Sequence, residues 1–148
     1  MQELAIDKCL VLTSEGKLEA LKELLAAGEC SVNDQDSNGY SLLMASSSYG
    51  NVEILKFLLN FKDVDVNLVD ADGESALHYC RDVECMKLLI EAGGNLALKN
   101  ANDETPLVAL DRELKEEVDL LVEDENPEHS KLSELVLFLQ SDQVCSKN

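Results

Sequence analysis

Tryptophan is absent from this chain, proline occurs twice, and aromatic residues fill 4% of its 148 positions. With so few rings there is little for bases to stack on, the usual platform for single-stranded nucleic acid. Basic side chains are scarce too: 12 Lys and Arg stand against 30 Asp and Glu, a formal net charge of −18. A field of that sign repels phosphate backbones and anionic lipid, so nucleic acid and membrane surfaces are not expected as partners and a basic protein is. No apolar run approaches the roughly 18 residues of a membrane span. Residues 1–13 carry Glu3, Asp7 and Lys8 among their apolar positions, which does not read as a secretory signal. Cys9, Cys30, Cys80, Cys85 and Cys145 are an odd set at irregular spacing, which predicts reduced thiols and a cytoplasmic or nuclear protein.

What the chain does have is a repeat. In residues 36–67, Asp36, Ser37, Asn38 and Gly39 form a turn signal, and an apolar run follows from Leu42 to Ser47. Gly50 and Asn51 break it, and Val52, Leu55, Leu58 and Leu59 then fall on one face of a helix. Upstream, Gly16, Glu19, Leu21, Leu24, Leu25 and Asn33 lie 34 positions before Gly50, Glu53, Leu55, Leu58, Leu59 and Asn67. Downstream, Asp70, Gly73, Ser75 and Leu77 lie 34 after Asp36, Gly39, Ser41 and Leu43. Glu84, Met86, Leu89 and Ile90 repeat the second helix at a spacing of 31, and Thr105, Pro106 and Leu107 restart the pattern 30 after Ser75. Self-similarity at this period predicts a stacked solenoid in one domain.

The pieces Gly73-Glu74-Ser75-Ala76-Leu77-His78, Thr105-Pro106-Leu107, and Gly50 to Leu59 closed by Asn67 resemble ankyrin repeats. The resemblance covers roughly residues 2–142. It implies an all-α solenoid of helix-turn-helix units joined by hairpin-like fingers, with repeats at about 2–35, 36–69, 70–99 and 100–142. The third is shortened between His78 and Glu84, so a short first helix is expected there. In the fourth, an acidic insertion occupies about 111–129. Leu107, Leu110, Leu114, Val118 and Leu121 hold one stripe, which predicts a long helix to about Val122; a separate helix over residues 114–122 is the alternative. Pro127 stops any helix, and Ser130 opens a last one with Leu132, Leu135, Val136 and Leu139 on one face.

Three constellations carry residue types that chemistry could use. Residues 34–39 open like a calcium loop, but its twelfth position, which requires a bidentate acid, is Ala45. His78, Cys80 and Cys85 are soft ligands without paired spacing; the resemblance instead assigns His78 a hydrogen bond between repeats and Cys80 a small core position. Ser75 lies a turn from His78, but the resemblance makes it a helix cap, and nothing converges as a nucleophile, base and orienting acid must. No enzyme activity, metal or cofactor is expected.

The expected function is therefore non-enzymatic protein binding, by a chain that is a monomer when free. The resemblance places the partner-reading positions at finger tips and first helices. They are Ser14 and Glu15; Gln35, Ser37, Asn38, Tyr40, Ser48 and Tyr49; Val69, Ala71, Asp72 and Glu74; and Lys99, Ala101, Asn102 and Glu104. Tyr40 and Tyr49 are the expected anchors, since Tyr is enriched at hot spots; for Tyr49 a shelf over Gly50 is the alternative. The run from Asp111 to Glu128, with nine acids and two bases, is either a solvated face or a dock for Lys- and Arg-rich segments. An escort of a strongly basic client, such as a ribosomal protein or histone, and an enzyme inhibitor are the rival roles.

Overall fold

The computed structural model describes residues 2–120 together with 137, 138 and 140. Residues 2–120 form seven helices: α1 (Gln2–Ser14), α2 (Leu18–Ala26), α3 (Leu42–Ser48), α4 (Val52–Leu59), α5 (Ala76–Tyr79), α6 (Val83–Glu91) and α7 (Pro106–Leu120). Extended structure is limited among the described residues to two antiparallel bridges, Gln35 with Ser41 and Val69 with Ser75. The fold is all-α.

First helices stack in one row, α1 on α3, α3 on α5 and α5 on α7, while α4 packs on α6 behind them. The row is close because its members are slim. In α3, every residue from Leu42 to Ser47 is buried, and the hydroxyls of Ser46 and Ser47 donate to the Leu43 carbonyl at 3.0 and 2.8 Å. No buried hydroxyl of this helix is left unsatisfied, so polar side chains fill a position that larger apolar ones would wedge open. The second helices bury one stripe each: Leu21, Leu55 and Met86 hold equivalent places in α2, α4 and α6, and none has exposed surface. Ser41 starts α3 by accepting the Met44 N–H at 3.3 Å. Asp82 starts α6 by accepting those of Glu84 and Cys85 at 2.7 and 3.2 Å, and Pro106, lacking an N–H to waste, opens α7.

Asparagine side chains fasten the outer loops of successive repeats. Asn33 donates to the Asp63 carbonyl at 2.7 Å and accepts the Asp65 N–H at 2.8 Å. Asn67 does the same to Gly93 and Asn95, at 3.2 and 2.8 Å.

The deletion in the third repeat comes out of its first helix: α5 has four residues where α3 has seven. A helix that short leaves its last carbonyls unpaired, and Arg81 takes them. Its Nη1 donates to the His78 and Cys80 carbonyls at 2.9 and 3.1 Å, and its Nη2 lies 2.7 Å from Glu113 Oε2 on α7. Arg81→Met, which keeps the stem and loses the donors, is expected to lower stability by about 1.5 kcal/mol; an unchanged midpoint in urea would show that water replaces the guanidinium.

α7 runs unbroken through Arg112 and Lys115 to Leu120, with no separate helix starting near 114. Its expected end at Val122, the acidic stretch 123–129, the Ser130 cap and the stripe Leu132, Leu135, Val136 and Leu139 lie outside the described residues. Leu137 and Phe138 are helical, and Phe138 packs against the core with Lys87 Nζ 5.6 Å from its ring centroid. Phe138 thus lies beside α6, which carries Lys87.

Candidate binding surface

Three hairpin fingers, 36–40, 70–74 and 100–104, project from the row of first helices and are built alike. Asp36, Asp70 and Asn100 each accept two backbone N–H groups through Oδ1: Asn38 and Tyr40, Asp72 and Glu74, Asn102 and Glu104, all at 2.9 to 3.0 Å. Neighbouring fingers are joined by backbone, Ala71 N–H to the Asn38 carbonyl at 2.9 Å and Ala101 N–H to that of Asp72 at 2.8 Å. Because main chain does the stacking, the side chains of Ser37, Asn38, Ala71, Asp72, Ala101 and Asn102 stand exposed and uncommitted.

Other expected positions are less free. Gln35 is exposed, but its amide donates to the carbonyls of Gly39 and Val69 at 2.7 and 2.9 Å. It therefore ties its own turn to the next finger. Glu104 is buried, 9% exposed, and its carboxylate takes Arg112 Nε at 2.7 Å and Asn100 Nδ2 at 3.3 Å. The Arg112 bond holds its carboxyl below the usual range, opposed by burial and assisted by Asn100. This contribution is present at neutral pH and is lost as pH falls through the lowered value. Glu104 is thus a structural strut between the last finger and α7, contrary to the expectation of a recognition residue. Glu74 is half-buried, 3.5 Å from Asn100 Nδ2. Ser14 bonds the Val11 carbonyl at 2.8 Å, Glu15 pairs with Lys17 at 3.4 Å, and Lys99 pairs with Asp103 at 3.4 Å. Val69 is exposed and Ser48 half-buried.

The two tyrosines separate. Tyr49 follows α3 with 61% of its surface exposed, as an anchor must be. Tyr40 is half-buried against the core, its ring edge-to-face with Tyr79 at 5.3 Å and 80°. Burial pushes its phenol up, with a hydrogen bond from Ser48 opposing. Tyr40 is a packing residue as well as a surface one. Tyr79 itself was not expected here: it closes α5, and its hydroxyl donates to Asp70 Oδ2. Burial and that bond raise its pKa. Nothing in the repeat spacing marks it, since 34 positions earlier stands Ala45.

Ser75 Oγ and His78 Nδ1 are 3.0 Å apart, the spacing of a nucleophile and its base, yet both residues are buried. Nδ1 also accepts the Ser75 N–H at 3.1 Å, which leaves the ring proton on Nε2 to be donated to the Glu104 carbonyl at 3.0 Å. The imidazole is spent joining the third repeat to the last finger, 100–104. Cys9, Cys30, Cys80 and Cys85 are buried thiols; burial and a hydrogen bond from Cys30 act in opposite senses on Cys9, with its pKa raised overall. Asp34 and Asp36 spend carboxylate oxygens on backbone N–H groups of their own loop, at 2.9 Å from Ser31, Asn38 and Tyr40. Among the described residues no three His, Cys, Asp or Glu converge as metal ligands. A chelator, or added calcium, is accordingly expected to leave the melting temperature unchanged; a shift of several degrees with either would contradict that.

Taken together, a two-row stack of helix pairs, fingers joined through backbone and an uncommitted row of tip side chains define a repeat scaffold that presents a surface. A family model of ankyrin repeats in three copies matches residues 10–100. The chain belongs to the ankyrin-repeat family, whose domains generally mediate protein–protein interaction and are generally non-catalytic. Comparison with curated proteins finds no match. Among the described residues no helix is long and apolar enough to cross a membrane.

Proposed function

We propose that this chain is a non-catalytic binding module that takes up a basic protein on the face formed by its finger tips and first helices. The observation that carries this reading is the division of labour in the fingers: main chain and the side chains of Gln35, Asn100 and Glu104 hold them together, which leaves the tip side chains for a partner. Charge supports the choice of a basic one. Asp36, Asp70, Asp72 and Glu74 lie on this face, and no described ion pair takes up any of them. Buried free thiols suit a reducing compartment, and we place the protein in the cytoplasm or nucleus.

The test is capture at low salt with the wild type and Tyr49→Ala as parallel baits, followed by mass spectrometry. Basic proteins are expected on the wild type, and Tyr49→Ala is expected to weaken their binding by about 2 kcal/mol, roughly 30-fold, at an unchanged melting temperature. Tyr40→Ala is expected to lower both binding and stability, because its ring also packs on Tyr79. Acidic partners, or a Tyr49→Ala bait that binds normally, would overturn the reading.

A further inference from the structure

The peptide unit between Asn38 and Gly39 lies at the tip of the first finger and is pinned from both sides. Its carbonyl accepts the Ala71 N–H of the next finger at 2.9 Å, and its N–H donates to the Asp36 carbonyl at 2.9 Å. The Asn38 side chain is exposed, and its amide enters no described hydrogen bond. Gly39 brings no side chain to shield its own nitrogen. The other described asparagines are placed differently. Asn33, Asn51, Asn67 and Asn100 each donate through Nδ2 to an oxygen of another residue. Asn60, Asn95 and Asn102 precede Phe61, Leu96 and Asp103, whose side chains crowd the following nitrogen. An exposed, unheld amide followed by a bare nitrogen occurs among the described residues at Asn38 alone.

We propose that Asn38 is a site of spontaneous covalent modification, converting to isoaspartate through a cyclic imide at a rate set by the opening of the first finger. The Gly39 nitrogen gives up its proton to solvent and attacks Asn38 Cγ. The new N–Cγ bond closes the ring, the Cγ–Nδ2 bond breaks, and the amide nitrogen leaves with a solvent proton as ammonia. Water then opens the imide, giving aspartate where it attacks Cγ and isoaspartate where it attacks the old main-chain carbonyl carbon. The net change is water in and ammonia out. Ring closure swings the Asn38–Gly39 peptide unit, which is planar and moves as one body, so the bonds to Ala71 and Asp36 must open first. The product does not fit the finger. In isoaspartate the main chain runs through Cβ and Cγ, longer by a methylene, and the old carbonyl becomes a carboxylate off the chain. Asp36 Oδ1 spans this turn by accepting the Asn38 and Tyr40 N–H groups at 2.9 Å each, a clamp that the longer chain breaks, and the Ala71 N–H loses its main-chain acceptor. Conversion therefore parts the first two fingers and adds a negative charge at their tip.

The experiment is peptide mapping by mass spectrometry of the full chain aged at neutral pH, both folded and unfolded in guanidinium. The folded chain is expected to convert Asn38 ahead of every other asparagine, about 30-fold more slowly than the unfolded chain, because backbone bonds on both sides hold the unit shut. Gln35→Ala removes the amide bonds to the Gly39 and Val69 carbonyls. It is expected to speed the folded reaction about 5-fold and leave the unfolded one unchanged. The isolated isoaspartate form is expected to melt below the wild type, while Asn38→Asp, with the same charge on an intact backbone, melts with it. An Asn38 that stays intact in the folded chain while the unfolded chain converts, or another asparagine that converts first, overturns the site. Equal folded and unfolded rates, or a Gln35→Ala chain that reacts as the wild type does, overturn the pacing by the finger. Equal melting of the isoaspartate form and Asn38→Asp overturns the parting of the fingers.

Discussion

Gly39→Ala is expected to cost at least about 3 kcal/mol of folding stability, against about 1 kcal/mol for Gly28→Ala. Both residues hold a left-handed backbone, at φ +80° and +75°, and an L side chain pays a similar strain at either. They differ in what the new methyl meets. At Gly28 nothing lies within 4 Å, whereas at Gly39 the added Cβ stands 2.8 Å from Asp70 Cα and 3.0 Å from Ala71 N. Those atoms are backbone of the next finger, held by the Ala71 N–H to Asn38 carbonyl bond, so they cannot swing aside as a flexible side chain would. Relief requires the fingers to part, which breaks that bond and carries off the floor of the proposed surface. Urea unfolding of the two variants checks this; equal losses would mean that the fingers separate at no expense and that their stacking contributes little.

The second large effect is on association rate. Residues 1–110 hold a net charge of −11 and the stretch 111–128 adds −7, so negative charge runs along the chain and is densest over 111–128. Long-range attraction of this kind is screened over about 8 Å at physiological salt. The association rate of a basic partner is therefore expected to fall about 10-fold or more between about 0.05 and 0.3 M salt, with a much smaller change in dissociation. The variant meant to flatten the dependence should spare Glu116, because it pairs with Arg112 at 3.3 Å and its loss would disturb the Arg112–Glu104 strut. Glu117→Gln, Glu123→Gln, Asp124→Asn and Glu125→Gln together remove four charges and leave that strut in place. A rate indifferent to salt, or to these changes, would make the charge a solubility device only.

The stack was legible in the sequence because each repeat announces itself locally. A turn glycine, a capping hydroxyl and a Leu-rich second helix recur at spacings of 30 to 34, and the all-α repeat fold follows from them. The His78 bridge between repeats was implied by resemblance, and the ring sits there, on Ser75 and the Glu104 carbonyl. The shortened α5 was readable from the missing residues after His78, but the Arg81 cap that makes the shortening tolerable was not. The site was less legible for a related reason. Whether Gln35 and Glu104 are free or spent depends on carbonyls and guanidinium groups contributed by other segments, Val69 and Arg112. Tyr40 and Tyr79 are 39 positions apart and meet only when the first finger packs against α5. Periodicity reports which residues are equivalent, and these pairs join residues that are not.

The claim that one face reads the partner while backbone holds the stack is tested most directly by amide chemical-shift changes in the full chain, titrated with the basic partner recovered in the capture experiment. The account predicts shifts concentrated at 36–40, 48–49, 70–74 and 100–103, with the amides of α2, α4 and α6 still. Shifts confined to α2, α4 and α6, or to the acidic stretch beyond α7, would contradict it.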